Sequence, residues 1–171
     1  TLDYLIRDMQ APDGGIYSTE DADSEGVEGK YYVWSLEEVR DLLGQPDADA
    51  FVAHFGVSEG GNFEAANILH LSGDAEATAA ELGVEADEVR GAVERGLKIL
   101  YDARQSRVRP ALDDKILSGW NGLAISALAR GGFALGDARY TDAARRAARF
   151  VLDAMPVDGR LLRSWRGGAA K

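Results

Sequence analysis

Over residues 86–154 the apolar side chains recur at steps of three and four, and this period constrains the fold more than any other feature of the chain. In 86–104 the stripe is Val89, Ala92, Val93, Gly96, Leu97, Leu100 and Tyr101. A helix is read over 113–136 from Ile116, Leu117, Trp120, Leu123, Ala124, Ala127 and Leu128, with Ile125 and Ala129 on other faces. Apolar nearly all round, it is expected to be buried on most sides. In 138–154 Tyr140, Ala143, Ala144, Ala147, Phe150, Val151 and Ala154 lie on one side, and Arg139, Asp142, Arg145, Arg146 and Arg149 on the other. Shorter helices are expected over 35–44, opened by the capping sequence Ser35-Leu36-Glu37-Glu38, over 47–55, and over 74–82 before Gly83. Strand signal is confined to 30–34, 67–71 and 160–165. The expected fold class is therefore mainly α, with short β-hairpin excursions.

A second constraint is an internal repeat. Asp8-Met9-Gln10-Ala11-Pro12-Asp13-Gly14-Gly15-Ile16-Tyr17 aligns without gaps on Asp153-Ala154-Met155-Pro156-Val157-Asp158-Gly159-Arg160-Leu161-Leu162, and Leu5-Ile6 falls on Phe150-Val151. Each copy reads as a helix tail, an Asp-Gly turn and the start of an extended segment. The chain is then expected to begin inside one module and end inside another, in a curved array or ring of helices.

The formal charge of −10 is unevenly spread. Residues 1–94 hold 22 acidic and 4 basic side chains, whereas 95–171 hold 7 acidic and 15 basic. The acidic balance argues against a nucleic-acid partner, because phosphate neutralisation needs a basic surface. Much of the C-terminal excess falls on the arginine face of the helix at 138–154. With no cysteine, the chain has no disulfide scaffold, thiolate zinc site or thiol chemistry. The most apolar stretch, 122–136, is too short to span a bilayer and is interrupted by Arg130. No membrane association and no leader are read, and a cytoplasmic location is the expectation.

Five carboxylates crowd into 20–28, making this acid-rich loop the sharpest local feature. Asp21, Asp23, Glu25 and Gly26 match the first half of a helix-loop-helix calcium loop, but its bidentate glutamate position is Tyr32 and the flanks look extended. Two other readings stand beside it: a solvated hairpin tip, and carboxylates facing a cleft to do acid/base work, as carbohydrate chemistry uses them. On the last reading Asp21 and Asp23 are the catalytic candidates, with Glu20 and Glu25 binding substrate beside them. A second candidate group is Asp113, Asp114, Lys115, Trp120 and Asn121. Asp113 or Asp114 is expected to cap the helix, and Lys115, unfavourable in a first turn, is expected to have a partner. Trp120 and Asn121 suit stacking on and hydrogen bonding to a sugar, and Trp34 is a further stacking surface. For Trp120, a place on the apolar stripe favours structural duty. His54 and His70 lack a second ligand at metal spacing, no phosphate loop or nucleophile elbow occurs, and neither cofactor nor metal is expected.

Gly14-Gly15-Ile16-Tyr17, then Asp21-Ala22-Asp23-Ser24-Glu25-Gly26, then Gly29-Lys30-Tyr31-Tyr32-Val33-Trp34, resemble the spermatogenesis-associated thioredoxin-fused family. Gly61-Asn62-Phe63-Glu64 with Asn67-Ile68-Leu69, the run 104–110 and the run 113–122 agree with that family in the same order. Its members are several times longer, with a thioredoxin-like domain followed by an (α/α)6 toroid similar to N-acylglucosamine 2-epimerases and six-hairpin glycosidases. The resemblance implies that this chain is one incomplete toroid segment. Within it, 1–9 is a helix stump, 10–34 the acidic hairpin region, 35–110 helices with an extended connection, 111–156 a helical hairpin, and 157–171 the start of the next excursion. It implies a thioredoxin-like domain in cis, without redox activity in this chain, and a small-molecule carbohydrate as ligand. The epimerase acid/base histidines find no matching motif, and a non-catalytic helical scaffold or protein-interaction module is the alternative. A segment cut from a ring leaves helix faces without neighbours, so self-association is expected.

Overall fold

The computed structural model describes residues 1–171. Its elements, in chain order, are α1 (Leu2–Tyr4) running into a π-helical turn (Leu5–Met9), β1 (Tyr17–Glu20), β2 (Asp23–Ser24), β3 (Val27–Glu28), α2 (Leu36–Leu43), α3 (Asp47–Phe55), α4 (Ala75–Leu82) and α5 (Ala86–Arg104). There follow β4 (Leu112–Leu117), α6 (Ser118–Leu135), α7 (Ala138–Ala154), β5 (Pro156–Val157), β6 (Arg160–Leu161), β7 (Ser164–Arg166) and β8 (Ala169–Ala170). The protein is mainly α-helical, with small antiparallel sheets. None of its helices is long and apolar enough to cross a membrane. Contacts divide the chain into two compact units, residues 22–110 and residues 1–21 with 111–171.

The unit 22–110 is held by α2, α3 and α5 around Trp34, Val39, Phe51, Phe55, Val57 and Leu100. Ser35 and Glu38 form the reciprocal capping box that the sequence signals, with both bonds at 3.0 Å. Asp74 caps α4 by accepting from the Ala77 amide, and Gly83 ends that helix in the left-handed conformation. Phe51 packs against α5 where Gly96 leaves room; a methyl group there would run into its ring. Two expected strands are not formed. Residues 30–33 turn instead, and 67–71 contributes only an isolated bridge between Trp34 and Asn67. The buried Asn67 amide closes that corner, bonding the Ser58 amide and the Ser58 and Trp34 carbonyls. β-propensity in these short runs found no neighbouring strand to pair with.

The other unit packs α6 against α7 and carries the four-stranded sheet, ordered β1-β4-β7-β8. Ile116, Phe150, Val151 and Met155 form one part of its core, and Leu128, Tyr140, Ala143 and Ala144 another. The arginine face of α7 is solvent-exposed and the opposite stripe buried, as its period requires. The long helix expected over 113–136 begins only at Ser118, because 112–117 is strand β4. Asp113 and Asp114 therefore cap no helix, and Lys115 escapes the helix dipole by lying in a strand, where it pairs with Asp113 at 3.0 Å. Pairing with β1 on one side and β7 on the other overrides the helical period here. Nor is α6 buried all round: within this chain Leu123 is 72 % and Phe133 91 % exposed.

Candidate functional site

The two copies of the repeat meet on one sheet. After the first, the chain turns at Asp13-Gly14, where the Gly14 amide donates to the Ala11 carbonyl, and enters β1. After the second, it turns at Asp158-Gly159, both at positive φ, and reaches β7 through β6. β1 and β7 then pair antiparallel with opposite edges of β4. Ile116 is the shared register point, with Tyr17 across from it on β1 and Trp165 across from it on β7. Directly paired residues project from the same face of a sheet, so Tyr17, Ile116 and Trp165 form one row. Between the Tyr17–Ile116 and Thr19–Asp113 pairs the register shifts by one residue, and at this irregularity Asp114 lies beside Tyr17 and Trp165.

This row borders a concavity of about 320 Å³ lined by Ala11, Pro12, Asp13, Tyr17, Asp114, Trp165 and Gly167. Ile116 forms the buried base of the row, and Phe150 supports Trp165 edge-on at 5.1 Å between ring centroids. Arg166 Nε holds the Asp114 carboxylate at 2.5 Å while the side chain stays about half exposed. A carboxylate, held by a neighbouring guanidinium, and two aromatic rings thus converge on a small open hollow. Such a set can accept hydroxyl hydrogen bonds and cover the apolar face of a ring.

Asn121, 1 % exposed, spends its amide on this unit's own backbone. Its Oδ1 accepts from the Ile16 amide at 2.8 Å, and its Nδ2 donates to the carbonyls of Ile16 and Leu117 at 2.9 and 3.0 Å. Trp120, which the apolar stripe assigns to the core, is 56 % exposed instead. It stands at the start of α6, where the buried side of the helix is taken by Asn121, Ile125 and Leu128. Asp113 and Lys115 pair with each other and do not line the concavity, and the ammonium beside Asp113 draws its carboxyl below the usual carboxylate value. Glu20, half-buried at the end of β1, accepts from the Tyr4 hydroxyl at 2.8 Å. Asp21 is exposed, and its amide donates to the Ala111 carbonyl.

The remaining candidates belong to the unit 22–110. Asp23 and Glu28 are paired across the β2–β3 hairpin, whose tip is Glu25-Gly26 with both residues at positive φ. Glu25 bonds Lys30 at 2.7 Å, and Asp23, Glu25 and Glu28 are all exposed. The acid-rich loop is thus a tight, solvated hairpin tip, without the flanking helices of a calcium loop, and no group of three or more acidic or histidine ligands is placed to hold a metal ion. Trp34, 3 % exposed, is a core residue with the Arg107 guanidinium 3.9 Å above its ring. The Arg107 side chain also bonds the carbonyls of Tyr31 and Val33, at 3.1 and 2.8 Å, and the Glu38 carboxylate at 3.1 Å. That ring face is occupied by the protein itself.

Of the residues singled out from sequence, only Asp114 lines the concavity. Tyr17, Trp165 and Asp13 were missed there, although the repeat pointed to their segments: its two copies lead into the strands that carry Tyr17 and Trp165.

No protein-family model matches the chain. Along nearly its whole length, it is similar to spermatogenesis-associated protein 20. The human protein of that name is 35 % identical over 190 aligned positions, covering 95 % of this chain and 24 % of the human one. The mouse protein is 36 % identical over 194, covering 98 % and 25 %. These relatives agree with the family read from the glycine- and acid-rich motifs. The chain spans about a quarter of the length of the curated relatives it matches.

Proposed function

We propose that this chain forms part of a carbohydrate-binding cleft, in a segment of an (α/α)6 toroid fused in the longer protein to a thioredoxin-like domain. The observation that carries the reading is the row Tyr17–Ile116–Trp165 with Asp114 lining the same hollow. Two aromatic rings flanking a half-exposed carboxylate suit a polyol. The rings cover its C–H surface, and the carboxylate, held by Arg166, accepts from its hydroxyl groups. The antiparallel packing of α6 on α7, with sheet excursions at the helix ends, supports the toroid reading. Asp114 keeps its place as a substrate-binding carboxylate, and Asp21, exposed on the same unit, remains a candidate for acid/base work.

The test is isothermal titration of the chain with a panel of neutral, amino and acidic mono- and disaccharides. Binding is expected for at least one class, lost in Trp165→Ala and weakened about tenfold in Asp114→Asn, the worth of one charge-assisted hydrogen bond. Silence across the panel, or binding indifferent to both substitutions, refutes the proposal. A non-catalytic scaffold is the second reading, favoured by the exposed Leu123 and Phe133 on α6, which suit contact with protein rather than with a small polar ligand.

A further inference from the structure

A second hollow, in the unit 22–110, has no part in that reading. It is a groove of about 470 Å³, open along one side, between the first turn of α3, the α4–α5 connection and the first half of α5. Leu82 and Val84, both exposed, supply its apolar surface, and Val89 and Ala92 are buried beneath it. Carboxylates ring it: Asp47, Asp49, Asp87 and Glu88. The one cation in its lining, Arg95, is bound through two nitrogens to Asp47, each contact 2.7 Å, and Asp87 is held by Arg90 at 2.6 Å. Asp49 takes only the neutral Gln45 amide, at 2.9 Å, and Glu88 is paired with no cation. Both are exposed. The groove therefore offers an apolar floor between two carboxylates without counter-ions.

We propose that this groove docks a basic amphipathic helix of a protein partner, its apolar side chains over Leu82 and Val84 and its lysine or arginine heads on Asp49 and Glu88. The charge complementarity selects the occupant. An anionic or purely apolar segment leaves the two carboxylates desolvated and unpaired, whereas a basic amphipathic one satisfies rim and floor together. An open groove walled by helices suits an extended rod better than a small molecule, which needs most of its surface enclosed.

The probe is a dye-labelled 18-residue helical peptide of leucine and lysine, titrated against the chain by fluorescence anisotropy, with its leucine–glutamate counterpart and spermine as comparators. Asp49→Lys with Glu88→Lys is expected to weaken binding at least tenfold. Glu28→Lys with Glu59→Lys makes the same change in net charge elsewhere on this unit, and is expected to weaken it less than threefold. Leu82→Ser with Val84→Ser is expected to weaken it at least fivefold with an unaltered melting temperature. Equal losses from the two charge reversals reduce the interaction to bulk attraction and overturn the proposal. So does an undetectable interaction, binding of the leucine–glutamate peptide with equal affinity, or displacement by spermine together with an indifferent floor.

Discussion

Asn121 is the most exacting test of how the unit carrying the sheet is held together. Replacing it with alanine removes three hydrogen bonds of 2.8 to 3.0 Å at a site 1 % exposed. The Leu117 carbonyl, at the cap position of α6, keeps its first helical bond, so its loss is small. The Ile16 amide and carbonyl are different: Ile16 is 5 % exposed, and Asn121 serves both of its polar groups. Each buried group left without a partner costs about 1–3 kcal/mol, and the two together put Asn121→Ala at about 2–6 kcal/mol. Equilibrium urea unfolding followed by far-ultraviolet circular dichroism measures it, with the midpoint shifting and the slope unchanged. Asn121→Asp supplies a second reading of the same site. It keeps an acceptor for the Ile16 amide but sets a carboxylate against two carbonyl oxygens, which raises its folded-state pKa above the unfolded one. Its stability relative to the parent should therefore recover as pH falls through that raised value and be poorest at neutral pH. A loss below about 0.5 kcal/mol for the alanine variant, within the range of an ordinary surface change, refutes the reasoning.

Four further outcomes are expected. Arg107→Lys removes the fork that joins the 31–33 turn to Glu38 and covers Trp34, and should destabilise the unit 22–110 by about 1–3 kcal/mol in urea titration, since an ammonium cannot make those bonds together. Asp47 is held below its ordinary value of 3.8 by the Arg95 side chain, so its contribution is present above that pH and is lost as pH falls through the lower folded value. Asp47→Asn should then flatten the acid limb of a melting-temperature profile below about pH 4 and leave its alkaline side unchanged in slope. Gly15 lies where an added methyl group would reach the Ile116 and Phe150 side chains, so Gly15→Ala should cost about 1–3 kcal/mol by overpacking, read by thermal melting. The exposed α6 face is expected to drive self-association visible in light scattering and abolished by Phe133→Glu; a monodisperse monomer at high concentration would count against it.

The sequence alone determined the helices that are amphipathic within themselves. The apolar and arginine stripes of α7, the capping box of α2 and the glycine stop of α4 are all local, and each stands where its residues predict it. The repeat was equally legible, because it is a comparison of letters. Tertiary structure decided whatever depended on a partner distant in the chain. Asp113, Asp114 and Lys115 read as the start of a helix but are a strand, because β1 and β7 bracket them with backbone partners nearly 100 residues before and about 50 after. Trp34 and Trp120 carry the same ring, yet the first is sealed by Arg107 and the second stands in solvent, a difference no local pattern encodes. The candidate site follows the same rule. Its carboxylate was visible in the chain, but its two aromatic walls became neighbours only when both copies of the repeat paired with the same strand.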